Sequence, residues 1–253
     1  METRTTQRQT AKANLVEVLA THDGDTKNPV VAAAIDKLVS LNPTSAPTEH
    51  DSLLEGNWLL INSPNFPDRQ QDYQNQYVYK LGRLAFNMFE PVGLKVAIER
   101  VLQPVFPTGK ENERTHDIVV EFKTIDDKIP ELKGIVKNLA VCVPTNQDTV
   151  QVKFTGGELI PLENQPEKMK EWLELFGNHN QKARLSFQDR ISSLVMKWIF
   201  GIQKASAIDS QTGKRTFVMN KSPQGLLKVL YLDEELRITK GNRETVLVCQ
   251  RQV

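Results

Sequence analysis

A chain of 253 residues, 39% hydrophobic and 25% charged, has the composition of an ordinary globular protein and enough length for a substantial core. Lysine plus arginine (32) almost cancels aspartate plus glutamate (31), so no excess field draws it to polyanions, and nucleic acid is not an expected partner. No run of the sequence approaches the ~18 consecutive apolar residues of a membrane-crossing helix.

The opening stretch, Met1 to Thr10, is rich in threonine and arginine and lacks the apolar centre of a secretory signal. Helical periodicity starts almost at once, whereas an organelle transit peptide is usually longer, so a bacterial cytoplasmic product or an already processed one is expected. Leu15, Val16, Val18 and Leu19 mark a first helix. Val30, Val31, Ala34, Ile35, Leu38 and Val39, at spacings of three and four, mark a second. His22-Asp-Gly-Asp25 separates them and Asn42-Pro-Thr-Ser-Ala-Pro47 ends the second. Two helices this short are marginal alone, so they are expected to pack on something larger.

After residue 50 the period changes to two. Leu53-Leu-Glu-Gly-Asn-Trp-Leu-Leu-Ile61 sets Gly56-x-Trp58 at the start of the first strand. Further strands are expected near 76–89, 94–102, 116–123, 135–143, 149–155, 214–220 and 226–232. In His116–Lys123 the inward set is Ile118, Val120 and Phe122; in Thr149–Thr155 it is Val150, Val152 and Phe154. Strands with one wet face suit an antiparallel sheet or barrel. Gly156-Gly157 precedes no helix and is expected at a turn or bulge.

From Pro166 to about Ser206 the pattern is helical, first around Met169, Trp172, Leu173 and Phe176. Ile191, Leu194, Val195, Trp198, Ile199 and Ile202 then follow the series of an amphipathic helix, with Phe200 broadening the apolar face. This second stretch is expected either to cover the barrel or to touch a membrane surface, where Trp198 and Phe200 beside Arg190, Lys197 and Lys204 match interfacial chemistry.

The chain closes on a hairpin: strand Leu236–Lys240, Gly241-Asn242 as residues that tolerate positive φ, and strand Thr245–Arg251. A first strand bearing a bulky aromatic must meet the last strand for a small barrel to close. The expected architecture is therefore mainly β with helices: an N-terminal helical segment and linker (1–50), then an antiparallel barrel (51–253) with a helical insertion near 166–206.

Chemistry-bearing motifs are sparse. His22, His50, His116 and His179 show no metal-ligand spacing, and no nucleophile elbow, P-loop or dinucleotide fingerprint occurs. Neither a metal nor a catalytic residue is expected. Asp233, Glu234 and Glu235 form the one acidic cluster that invites an enzymatic reading, but acids ahead of a strand are expected to face water at a turn. Arg237, two residues after Glu235, is expected to pair with it or with neighbours, and Arg251 to lie over Trp58 with its head toward backbone carbonyls. Cys142 and Cys249, each in an apolar run, are expected as buried thiols.

Tyr231-Leu-Asp-Glu-Glu-Leu-Arg-Ile238 with Lys240-Gly241, Leu54-Glu-Gly-Asn-Trp-Leu-Leu60 and Leu41-Asn-Pro-Thr-Ser-Ala-Pro47 together resemble the plastid lipid-associated protein family, also called PAP/fibrillin. The resemblance spans roughly residue 12 to the end. The chain departs from the family pattern at Ile61-Asn-Ser63 and over 181–206. It implies a lipocalin-like barrel, no enzymatic activity and no cofactor beyond a bound isoprenoid lipid. It also implies association with photosynthetic membranes: cytoplasmic or peripheral thylakoid in a cyanobacterium, or plastid in a plant or alga. Two functions follow: a carrier for carotenoid- or quinone-type lipids with peripheral membrane contact, or a filled barrel that recruits protein partners. For the carrier, aromatics in strand-like segments are the expected ligand contacts: Trp58, Phe86, Phe89, Phe122, Phe154 and Tyr231.

Overall fold

The computed structural model describes residues 3–70, 77–125, 129–177, 205–221 and 224–252. Its helices are α1 (Arg4–Thr21), α2 (Pro29–Val39), α3 (Asp51–Leu54), α4 (Leu81–Leu84) and α5 (Pro166–Gly177). Its strands are β1 (Gly56–Leu60), β2 (Tyr77–Lys80), β3 (Lys95–Val105), β4 (Arg114–Thr115), β5 (Ile118–Thr124), β6 (Lys133–Pro144), β7 (Thr149–Pro161), β8 (Arg215–Val218), β9 (Gln224–Leu232), β10 (Leu236–Gly241) and β11 (Val246–Gln252).

Local chemistry fixes the helix starts. Thr3 Oγ1 accepts from the Thr6 N–H ahead of α1, and Asn28 Oδ1 accepts from the Val30 N–H ahead of α2, whose first residue is proline. Between them the chain turns through Gly24 at φ +65, and a Cβ there would lie 2.4 Å from the Ser63 backbone nitrogen. That contact carries a hydrogen bond from Ser63 N–H to the Gly24 carbonyl, which ties the helical segment to the chain just beyond β1. Only glycine satisfies both the left-handed φ and the close approach.

The strands pair antiparallel in the order β6-β5-β3-β1-β11-β10-β9-β7, and β7 returns to β6, so eight strands form a hydrogen-bonded ring. β2, β4 and β8 attach to β3, β6 and β7. The expected closure is present in register: Trp58 on β1 lies opposite Arg251 on β11 and opposite Gln103 on β3.

Alternation then assigns faces. Val248, Leu236 and Ile238 pack under α1 and α2 against Leu15, Leu19, Val31, Ile35 and Leu38, so the two helices cover the outside of β9–β11. Their neighbours Cys249, Arg237 and Thr239 therefore point into the ring. Both faces are buried along Leu236–Thr239 of β10 and at Val248 and Cys249 of β11, because helices lie outside and side chains inside, whereas Leu226, Lys228 and Gln250 are exposed.

One end of the interior is an aromatic cluster that includes Phe89, Phe122, Trp172, Phe176 and Phe217, with Trp172 delivered by α5. Its indole N–H donates to the Gly213 carbonyl at 2.8 Å. A Cβ on Gly134 of β6 would stand 2.5 Å from the Trp172 ring and 2.8 Å from Phe122. Gly134→Ala should therefore overpack this end and lower stability by about 1–3 kcal/mol, read as a shift in urea midpoint; an unchanged midpoint would show that the ring end yields freely.

Several expectations are corrected. The strand expected over 76–89 stops at Lys80. The chain then makes the single turn α4 and passes through Phe86 and Asn87 at φ 53 and 58, with the Asn87 N–H bonded to the Gly82 carbonyl. Gly82 allows this turn, since its Cα packs against Val92 with no room for a side chain. Phe86 and Phe89 thus stand on a loop. In the final hairpin the left-handed residue is Glu244, at φ 58; Gly241 instead ends β10. The helix expected to reach about Ser206 does not include that residue, whose N–H pairs with the Thr216 carbonyl. The amphipathic stretch with Ile191, Leu194, Val195, Trp198, Ile199 and Phe200 lies outside the described residues.

Candidate binding site

Trp58 is fully buried, its indole N–H donating to the Leu54 carbonyl at 2.8 Å. Two guanidinium groups lie against its ring: Arg251 at 4.3 Å and Arg237 at 4.9 Å from the centroid. Arg251 approaches from the ring's rim and donates to the carbonyls of Leu53, Glu55 and Glu234. Gly56, at φ +140, leaves the space that its Nη1 occupies. Arg251 is thus a clasp joining α3 and β1 to the acidic turn before β10.

Arg237 lies deeper, 2% exposed, on the inward face of β10. Of the two alternatives expected for it, Glu235 or a neighbour, it takes the neighbour. Glu235 belongs to the turn outside the ring, whereas Arg237 Nη2 donates to Gln103 Oε1 at 2.7 Å. Its company inside the ring is Trp58, Gln103 and Cys249. Among the described residues no carboxylate bridges it. Burial draws its guanidinium below the usual arginine value, yet arginine keeps its proton in proteins.

The surroundings respond to that buried cation. His116 is pushed down to about 3, first by burial and then by the Arg237 charge, so its imidazole is neutral at physiological pH. Cys142 is pushed up to about 11, chiefly by burial, and Cys249 is also raised by burial. Both cysteines are free, buried thiols held in the protonated form. Thr239, 1% exposed, shares the inward face of β10 and lies opposite Val229 and Leu247 on the adjoining strands. Asn138 of β6 donates to the Leu84 carbonyl at 2.8 Å. Three buried side-chain atoms lack a hydrogen-bonding partner among the described residues: Arg237 Nε, Thr239 Oγ1 and Asn138 Oδ1.

Outside the ring, Glu234 and Glu235 of the acidic turn face water as expected, but Asp233 does not. Asp233 is 3% exposed; Lys12 of α1 bonds it at 2.8 Å, and the Tyr231 hydroxyl donates to the same carboxylate oxygen at 2.5 Å. Its other oxygen accepts from the N–H groups of Glu235 and Leu236. Lys12 also reaches Glu235 at 2.6 Å. With every Asp233 oxygen committed to a donor, the arrangement is a structural staple that holds α1 on the ring.

The six aromatics fall into three places. Phe86, Phe89, Phe122 and Phe154 belong to the interior cluster, where Phe86 and Phe154 meet edge-on at 5.4 Å and Phe89 meets Phe217 at 5.4 Å. Trp58 sits in a neighbouring inner cluster with Val105, Val229, Leu232 and Cys249, and Leu60 touches both. Tyr231 is on the outer face, beneath α1. A register shift opposite Ile238/Thr239 leaves Leu230 unpaired and turns Tyr231 to the helix side, which plain alternation does not foresee.

The PAP_fibrillin family model matches residues 9–250, nearly the whole chain. The chain belongs to the PAP_fibrillin family. No curated protein and no solved structure matches it. PAP_fibrillin proteins are plastid lipid-associated proteins of a structural, non-enzymatic kind, which agrees with the coarse reading made from the sequence. No helix among the described residues is long and apolar enough to cross a membrane. The described residues also contain no cluster of three or more His, Cys, Asp or Glu side chains suited to a metal.

Gln103, Asn138 and Thr239 were not singled out by sequence reasoning, whereas Cys249 is the buried thiol expected. The available signal was a charged Arg237 between Leu236 and Ile238, apolar residues that occupy the other face. A charge at inward parity on the last hairpin of a barrel implies an internal polar partner.

Proposed function

We propose that residues 51–253 act as a non-catalytic binding or carrier domain for apolar isoprenoid lipids of carotenoid or quinone type, at photosynthetic membranes. The N-terminal segment, 1–50, braces it. The protein needs no cofactor, and the lipid itself is the cargo. Its place in this reading is peripheral thylakoid or cytoplasmic in a cyanobacterium, or the plastid in a plant or alga.

The observation that carries the reading is the inner face of the ring in a chain of this lipid-associated family: two adjoining apolar clusters, one rich in aromatics, meet a few buried polar groups. Ligand sites for apolar molecules have that composition, with apolar walls and a small number of orienting polar groups. Trp58 and Trp172 both lie in these clusters, so a bound polyene or quinone should quench intrinsic fluorescence. Titration with β-carotene and with a plastoquinone analogue should give saturable quenching by at least one of them. A linear, unsaturable response to both would discard the carrier reading.

A second reading has its own support. The aromatic end is tightly packed, with Phe122, Trp172 and Phe176 against one another and no room for a Cβ at Gly134. A ring filled in this way suits a scaffold that recruits protein partners, and the same titration separates the two readings.

A further inference from the structure

Arg237 is the one buried guanidinium that points into the ring from the closing hairpin, and its needs are incompletely met. Its charge is shared with a neutral amide, Gln103, and an aromatic face, Trp58, while its Nε carries a hydrogen that no described residue accepts. The acids nearest in sequence are directed elsewhere: Asp233 and Glu235 are outside, engaged by Lys12. Arg114, also buried, is already neutralised by Asp51 and Glu55. A buried ion without a counter-charge is costly, and burial makes any interaction that supplies one correspondingly strong.

Thr239 adds a second donor on the same side. It lies two residues further along β10, ~6.6 Å from Arg237 at the strand rise, and its hydroxyl is likewise unpartnered. A small oxygen-bearing group can meet both. Around these polar atoms the lining is apolar: Trp58, Val229 and Leu232, then by way of Leu60 the cluster containing Phe122. The constellation therefore has a cationic head and an apolar wall, which differs from what a pure hydrocarbon needs.

We propose that Arg237 and Thr239 anchor the head group of an amphiphile bearing a carboxylate, with its hydrocarbon part along the inner apolar face. This rests on the carrier reading and narrows it, since a carboxylate supplies the counter-charge that the buried guanidinium lacks, which a neutral carbonyl does not. Gln103 is the positioning residue: its Oε1 accepts from Arg237 Nη2 and lies 3.7 Å from Cys249 Sγ, which holds the guanidinium with Nε free.

The test compares cis-parinaric acid with its methyl ester, reading polyene fluorescence and energy transfer from tryptophan at neutral pH. The wild-type chain should favour the acid by tenfold or more. Arg237→Leu, which replaces a buried ion by an apolar side chain and is expected to fold, should abolish that preference. Thr239→Val, nearly the same in shape, should reduce acid binding several-fold. Equal binding of acid and ester by the wild type, or a folded Arg237→Leu that keeps the preference, overturns the proposal. Should Arg237→Leu fail to fold, an undiminished acid preference in Thr239→Val overturns it. Saturable quenching by a plastoquinone analogue without acid preference sinks the anchor and leaves the carrier reading standing; no saturable binding of any of these probes sinks both.

Discussion

Trp58→Ala is expected to destabilise the protein by about 3–5 kcal/mol, the range for deleting a fully buried large aromatic. The residue does more than fill volume. Its indole N–H holds the Leu54 carbonyl, and its ring is the surface on which Arg237 and Arg251 lie. Removing it leaves one guanidinium inside the ring and another at the rim without their aromatic support, at the strand pair that closes the circle. Urea denaturation followed by far-ultraviolet circular dichroism measures the loss; a midpoint within experimental scatter of the wild type would show that β1 and β11 hold together without this contact.

Asp233→Ala is expected to be comparably severe, about 3–5 kcal/mol, because it removes the buried partner of an ion pair, leaves Lys12 only the exposed Glu235, and takes the acceptor from the Tyr231 hydroxyl and two backbone N–H groups. The pH dependence follows from two opposed groups. Burial alone would raise the Asp233 carboxyl, but hydrogen bonds from Lys12, Tyr231 and two backbone N–H groups outweigh it and hold the folded value below 3.8. Its contribution is therefore complete above the unfolded carboxylate value and disappears as pH falls through the folded one. For Lys12 burial is the largest single influence and pulls downward, yet the bonds to Asp233 and Glu235 with their charges carry it above 10.5. That contribution is complete below 10.5 and is lost as pH rises through the folded value. Midpoints measured from pH 2 to 12 should fall at both extremes in the wild type, and both limbs should be shallower in Asp233→Ala. Parallel curves for the two proteins would rule out the staple as their source.

The ring was legible because its ends are marked. Gly56-x-Trp58 and the final hairpin announce the two strands that meet, and period-two runs such as Val150–Val152 and Val120–Phe122 give faces that the structure keeps. What periodicity does not carry is a change of register. One extra residue at Leu230 moved Tyr231 to the opposite side, and one glycine at 82 converted an expected strand into a turn and a loop that holds Phe86 and Phe89. Asp233, alone of the three acids in the turn, departs from expectation for a different reason. Whether Asp233 faces water depends on Lys12, 221 positions earlier, and no local pattern records that partner. Arg237 shows the same limit from inside, since its amide partner Gln103 is 134 positions away on a different strand.

The closure of the ring also sets the order in which the protein can be made. The strand that completes the circle is the latest in the chain, and the clasp it carries reaches back 198 positions, from Arg251 to Leu53. The surface on which α1 and α2 rest belongs to β9, β10 and β11, so these two helices have no platform until strands far later in the chain have folded. Contacts of such long sequence separation make folding slow and leave strand borders unpaired meanwhile. The native state is therefore reached only once β11 has joined β1 and β10, whose borders stand unpaired until then.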